Sequence, residues 1–133
     1  MYKKNVRYYY VDGEPEDFKN SPLKNIFLSE SEAQDLACRV AMYLKSRPAT
    51  ITYHKRKTKN LLAFVRVLEL TRPFVSAISV SIYSGNNNVH IILHELAHTL
   101  DPYYESHDED FHNLFKELIK MWNKKWHKFY KYK

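Results

Sequence analysis

Residues 90–115 read HIILHELAHTLDPYYESHDEDFHNLF, and this stretch holds five of the chain's seven histidines among several carboxylates. An imidazole or an acid costs free energy to bury without a partner, so their gathering beside one apolar run asks for a reason. Val89, Ile92, Leu93, Leu96 and Leu100 recur at helical spacing. That period predicts a helix over residues 87–101 that lays its apolar stripe on a sheet. Pro102 disfavours helical geometry at Asp101, so the helix stops about one turn beyond His98 and the chain turns back. A last helix is predicted over 107–130. It opens near Ser106, with Glu109 three residues on, and turns Phe111, Leu114, Phe115, Leu118, Trp122, Trp126 and Phe129 inward.

Upstream of the stretch, FVSAISVSIY at 74–83 alternates Ile78, Val80 and Ile82 with serines, as a strand does, and ends at Gly85 and three asparagines that offer N-caps. ATITYH at 49–54 and LLAFVRVLEL at 61–70 are likewise rich in β-branched and aromatic residues. Three strands are therefore expected within residues 49–83. The basic KRKTKN between the first two suits a hairpin loop, and Pro73 interrupts the next junction because it gives no amide hydrogen to a sheet.

Earlier still, Ser29 stands three residues before Glu32, the spacing of a capping box, and opens a helix over 29–47 that stops at Pro48. Ala33, Leu36, Ala37, Val40, Tyr43 and Leu44 form its expected buried face. Residues 1–27 have weak periodicity and contain the turn-rich DGEPEDFKNSP, which reads as an arm over the core. The expected order is αβββαα in a single α+β domain spanning residues 1–133: a helix on a small three-stranded sheet, then the HELAH helix and a C-terminal helix.

Composition supports one folded domain. At 133 residues, with 44% hydrophobic and 27% charged residues and only two glycines and five prolines, the chain is neither disordered nor fibrous. The apolar runs LLAFV and IIL fall far short of the roughly 20 residues of a membrane span. The opening MYKKNVRYYYVDGEP lacks the apolar core of a secretory signal, so an intracellular setting, cytoplasmic or nuclear, is expected, with no membrane partner. The lone Cys38 excludes an internal disulfide and reads as a buried structural thiol. The formal charge of +6 comes largely from HKRKTK at 54–59 and from lysines spaced along the last helix and tail. Such clusters suit phosphates, and equally a solvated loop and a polar helix face.

The histidines supply the chemistry. His94 and His98, four residues apart, project from one helix face with about 40° of rotation between them, so two imidazole nitrogens can share one ion. Glu95 points to the side, where it can hold a water without occupying a ligand position. Neutral imidazoles bind zinc while leaving it electrophilic, and three protein ligands leave a fourth position for water, whose pKa falls to about 7. One zinc ion is the expected cofactor. The third ligand stays open: a metzincin would place glycine and histidine where this chain has Asp101 and Tyr104, and a thermolysin-like site would use Glu117.

HELAH, a short loop and then SHDEDFHNLFKEL resemble the SprT-like and WLM metalloproteases, across roughly residues 29–120. In that family a histidine follows the HExxH helix, with a phenylalanine four residues after it; His107 and Phe111 fill those places. The resemblance implies a compact minimal zincin-type domain, with His94, His98 and His107 as ligands and Glu95 as general base. It departs from the family in two ways: the loop TLDPYYES has no glycine, and Asp108-Glu109 stand where Gly-Pro often follows the third histidine.

Other candidates have competing readings. His112 can act behind the ligands or replace His107, or sit on the surface of the last helix; His90 can simply extend the polar stripe. Asp101, Asp108 or Asp110 can orient a ligating imidazole. Tyr103 and Tyr104 can donate to a developing oxyanion or merely wall the site. The expected function is zinc-dependent endopeptidase, with the third strand as a sheet edge that pairs with an extended peptide. The resemblance adds proteins bound or crosslinked to DNA as substrates, with Lys55, Arg56, Lys57 and Lys59 as candidate nucleic-acid contacts. Trp122 and Trp126 can stack on bases but read first as core. The alternatives are a zinc-stabilised nucleic-acid-binding or structural protein with a vestigial site, and an ImmA-like regulatory protease, which a glutamate third ligand would favour.

Overall fold

The computed structural model describes residues 6–10, 22–55, 61–67, 76–82, 85–100 and 109–130; residues 6–10 and 61–67, with Ser76, Leu100 and Asp110, are described through the backbone alone. The chain is α+β. In order it forms β1 (Val6–Tyr10), a one-turn 3-10 helix (Pro22–Asn25), α1 (Glu30–Leu44), β2 (Thr50–His54), β3 (Leu61–Val67), β4 (Ser76–Ser81), α2 (Val89–Leu100), α3 (Glu109–Lys124) and a second 3-10 turn (Trp126–Phe129).

α2 is the centre of the molecule. It packs on β3, β4 and the first 3-10 turn, and α1 and α3 pack against it. Every residue from Val89 to His98 is buried as a result. Its start is fixed from both sides. Asn88 Oδ1 accepts from the Ile91 amide at 2.9 Å, a side-chain cap on one of the helix's leading N–H groups. The Val89 amide donates to Ile26 O, and Leu28 exchanges hydrogen bonds with the Asn87 backbone and side chain. Gly85, at φ 73°, turns the chain into this junction; a Cβ there would stand 3.2 Å from the Phe27 ring.

α1 forms as the capping-box spacing predicts. Ser29 Oγ accepts from the Glu32 amide at 3.1 Å, and Glu32 Oε1 accepts from the Ser29 amide at 2.8 Å. Ala33, Leu36, Ala37 and Val40 are buried, while Tyr43, expected on the same face, is 42% exposed and Ala41 takes its place inside. The helix ends where Lys45 enters the left-handed region, three residues before Pro48.

The sheet differs from the expectation in three respects. Among the described residues it has four strands, in the order β1-β3-β4-β2, because part of the N-terminal arm pairs antiparallel with β3. β2 and β3 are not a hairpin: β4 lies between them, antiparallel to β3 and parallel to β2. Two strand spacings come to about 10 Å, which the KRKTKN connection can span. β4 is therefore an interior strand and not a sheet edge.

The outer edge of β2 is closed by α1. Gln34 accepts from the Ile51 amide and donates to Ala49 O, both at 2.8 Å, and Glu30 accepts from the Tyr53 amide at 2.7 Å. One glutamine side chain thus does for the edge what a neighbouring strand would do. Ile51, Ile78 and Val80 face the core.

The C-terminal helix also stops early. α3 ends at Lys124, and the chain folds back through the second 3-10 turn. His127 Nδ1 donates to Trp122 O at 2.9 Å, and Tyr130 stacks on Trp122 at 5.8 Å and 4°. The fold-back buries Trp126 and Tyr130 beside Trp122, while Phe129 is left 47% exposed. Both tryptophans are core residues. Cys38 is half-buried and free. No helix among the described residues is long and apolar enough to cross a membrane.

Candidate metal centre

Three imidazoles descend one face of α2. His90, His94 and His98 follow at four-residue steps, so each ring sits a little more than one turn beyond the last. Their exposures are 0%, 1% and 1%, and that of Glu95 is 0%. The His94 and His98 rings lie 4.8 Å apart, centroid to centroid, at 79°. Burial follows from where the helix sits: the sheet, α1 and α3 surround it, and among its described residues Val89 to His98 are all buried.

α3 contributes the wall. Phe111 lies nearly flat on His98, at 4.4 Å and 23°, and meets His94 at 5.0 Å and 72°. One turn on, Phe115 stands edge-on to His94 at 5.4 Å and to His90 at 5.1 Å. These i,i+4 phenylalanines therefore cover the imidazole ladder rung by rung. Such a wall fixes ring planes and excludes water, and low local polarity strengthens any charge interaction made behind it.

The donor chemistry can be tested against a zinc ion. Two neutral imidazoles on one helix face, with a carboxylate beside them, are the donor types zinc takes. Among the described residues, however, no group of three His, Cys, Asp or Glu side chains is arranged to hold a metal ion. His107 lies outside the described residues, as do Asp101, Tyr103, Tyr104 and Asp108, and the side chain of Asp110 is not described. The α2 residues thus match two ligand positions and the base of such a site.

The remaining candidates fall elsewhere. Glu117 does not join the histidines: it is half-buried on α3 and accepts a hydrogen bond from the Tyr43 hydroxyl of α1. This removes the thermolysin-like ligand from the described geometry. His112 is exposed, its ring 5.5 Å from Phe111. Lys55 is exposed at the end of β2; Arg56, Lys57 and Lys59 lie outside the described residues.

His90 is the residue that sequence reasoning undervalued. It is fully buried in the same aromatic lining as the HExxH pair, and its spacing of four from His94 in an otherwise apolar turn was the available signal. Compared with known protein families, curated proteins and solved structures, the chain matches none of them.

Proposed function

We propose that the chain is a zinc-dependent endopeptidase of SprT-like or WLM type, acting on peptide bonds in protein substrates. The observation that carries this reading is the pairing of His94 and His98 on one face of α2, their rings 4.8 Å apart, with Glu95 directly after His94. His94 and His98 hold the metal, and the resemblance assigns the third position to His107. Phe111, four residues after His107, stacks on His98, so α3 begins beside the imidazole pair. Zinc, when bound, polarises the scissile carbonyl and acidifies a water. Glu95 takes the proton of the attacking water and delivers it to the leaving amine. An extended substrate does not pair with β4, which is interior, nor with the outer edge of β2, which α1 closes; the remaining edge of the sheet is that of β1.

Glu95→Gln provides the test. The purified variant keeps one equivalent of zinc and the wild-type melting temperature, while cleavage of an unfolded protein falls by about 10²- to 10⁴-fold. A wild-type chain that binds zinc and cleaves nothing supports the second reading, a zinc-stabilised binding or structural protein. The complete burial of Glu95 favours that alternative, because hydrolysis needs water and peptide at the carboxylate. An ImmA-like regulatory protease that uses Glu117 has no support from the Tyr43 hydrogen bond. Action on DNA-associated proteins rests on the resemblance and on the basic loop; Lys55→Ser, Arg56→Ser and Lys57→Ser together should weaken duplex binding and flatten its salt dependence.

A further inference from the structure

A second surface, independent of the histidines, lies where the last turns of α1 meet the C-terminal 3-10 turn. Met42 is 78% exposed, Phe129 47% and Tyr43 42%. They belong to one patch. Tyr43 meets Trp126 edge-on at 5.7 Å, and the Arg39 guanidinium lies 3.7 Å above the Phe129 ring. Met42 follows Arg39 by three residues, which makes the two side chains surface neighbours on the helix. Apolar side chains exposed together on one face mark a surface that a partner can cover.

The excess charge around the patch is positive. Between Arg39 and Pro48, and from Leu118 to Lys133, the sequence contains no carboxylate. Lys45, Arg47, Lys125 and Lys128 are exposed. The nearby acids are already engaged: Asp35 accepts from Arg39 and from the Tyr130 hydroxyl, each at 2.8 Å, and Glu117 accepts from Tyr43. What faces solvent is an apolar patch whose rim carries more basic than acidic groups, the half-exposed Asp35 being paired with Arg39.

We propose that this face docks an acidic peptide segment of a partner protein, one that sets apolar anchors on Met42 and Phe129 and carboxylates against the rim. A second copy of the chain is a poor occupant, since each copy carries a net charge of +6. Nucleic acid fits less well than peptide. Base stacking needs open ring faces, whereas one face of Phe129 is covered by Arg39 and the Tyr43 hydroxyl is engaged by Glu117. The most exposed apolar side chain is a methionine, which adapts to apolar partners and offers no ring to a base.

The test titrates the full-length chain against three labelled synthetic peptides of about 20 residues, enough for several helical turns. One alternates leucines with glutamates at helical spacing, one replaces the leucines by serine, and one replaces the glutamates by lysine; an oligothymidylate is the fourth probe. Binding should be selective for the leucine-glutamate peptide. Met42→Asp should weaken it by about tenfold, the effect of losing one well-packed anchor. Lys45→Ser with Arg47→Ser should weaken it further and reduce its dependence on salt. Met42 is too exposed to carry the fold, so unchanged circular dichroism and melting temperature are expected for its variant. The proposal is overturned if the three peptides bind alike or none binds, if Met42→Asp leaves the affinity unchanged, or if oligothymidylate alone binds and the same substitutions abolish it.

Discussion

α1 and α2 are neighbouring amphipathic helices of 15 and 12 residues, and they use their polar side chains in opposite ways. Those of α1 finish the protein's own structure. Ser29 and Glu32 cap its first turn, Gln34 and Glu30 close the edge of β2, and Asp35 ties Arg39 and Tyr130 together. Those of α2 that carry the candidate site, His90, His94, Glu95 and His98, are buried at the centre of the molecule. The lesson is that polarity alone does not mark a site. A polar residue whose hydrogen bonds complete a cap or a strand edge is explained by the fold, and the buried imidazoles of α2 beside Glu95 are where the proposed zinc chemistry would sit.

The sharpest way to break the comparison is to remove the wall between α2 and α3. Phe111→Ala deletes a buried ring in contact with both His94 and His98, and should destabilise the chain by about 3–5 kcal/mol in urea unfolding. Zinc affinity should fall with it, since the imidazole planes lose their support. A variant that unfolds earlier yet binds zinc as tightly as wild type would show that the wall serves packing alone.

Metal should separate the two helices next. Zinc added at 100 times its dissociation constant should stabilise the wild-type chain by about 2.7 kcal/mol, because it binds the folded state. His98→Ala should lose that gain, and Arg39→Gln on the surface of α1 should keep it. An equal response in all three would mean that zinc binds somewhere other than α2.

On α1, Gln34→Ala should cost about 1–3 kcal/mol, since the Ile51 amide and the Ala49 carbonyl each lose a partner at the sheet edge. The same substitution exposes an edge strand, so increased aggregation should accompany the loss. Wild-type stability in this variant would mean that water replaces the glutamine at no cost.

How much of this was legible in the sequence depended on whether the signal was local. The Ser29–Glu32 box, the stripe of α2 and the pairing of His94 with His98 are set by spacings of three and four residues, and they appear as read. Strand order is not local: nothing in KRKTKN says whether the next strand lies beside β2 or one place further, and β4 occupies that place. β1 was hidden because a strand paired along one side needs no strong alternation, and residues 6–10, VRYYY, show none. Tyr43 and Phe129 fit helical periods yet are partly exposed, and Phe129 falls beyond the end of α3, in the second 3-10 turn. Within the site, the sequence pointed to the α2 residues and understated His90, whose burial depends on where Phe115 comes from another helix.

The smallest effect concerns the clasp of α1 to the C-terminus, and its sign with pH can be worked out. Hydrogen bonding from Arg39 holds the Asp35 carboxyl below its ordinary value of 3.8; burial opposes this and the Tyr130 hydroxyl assists it. A carboxyl depressed in the folded state contributes stability above its unfolded value, and that contribution is lost as pH falls through the lower folded one. Tyr130 behaves oppositely: burial first, then its bond to Asp35, raises its phenol above the ordinary 10.0, so its contribution is present below pH 10.0 and lost as pH rises beyond. Asp35 is about half exposed, so solvent screens the pair and its worth at neutral pH should be below about 1 kcal/mol. Asp35→Asn should therefore barely move the urea midpoint at pH 7, shrink the wild-type loss of stability below pH 4, and leave every zinc-dependent property of α2 unchanged. If the acid limbs of the two proteins superimpose, the clasp contributes nothing, and the contrast between the helices rests on Gln34 and the capping box.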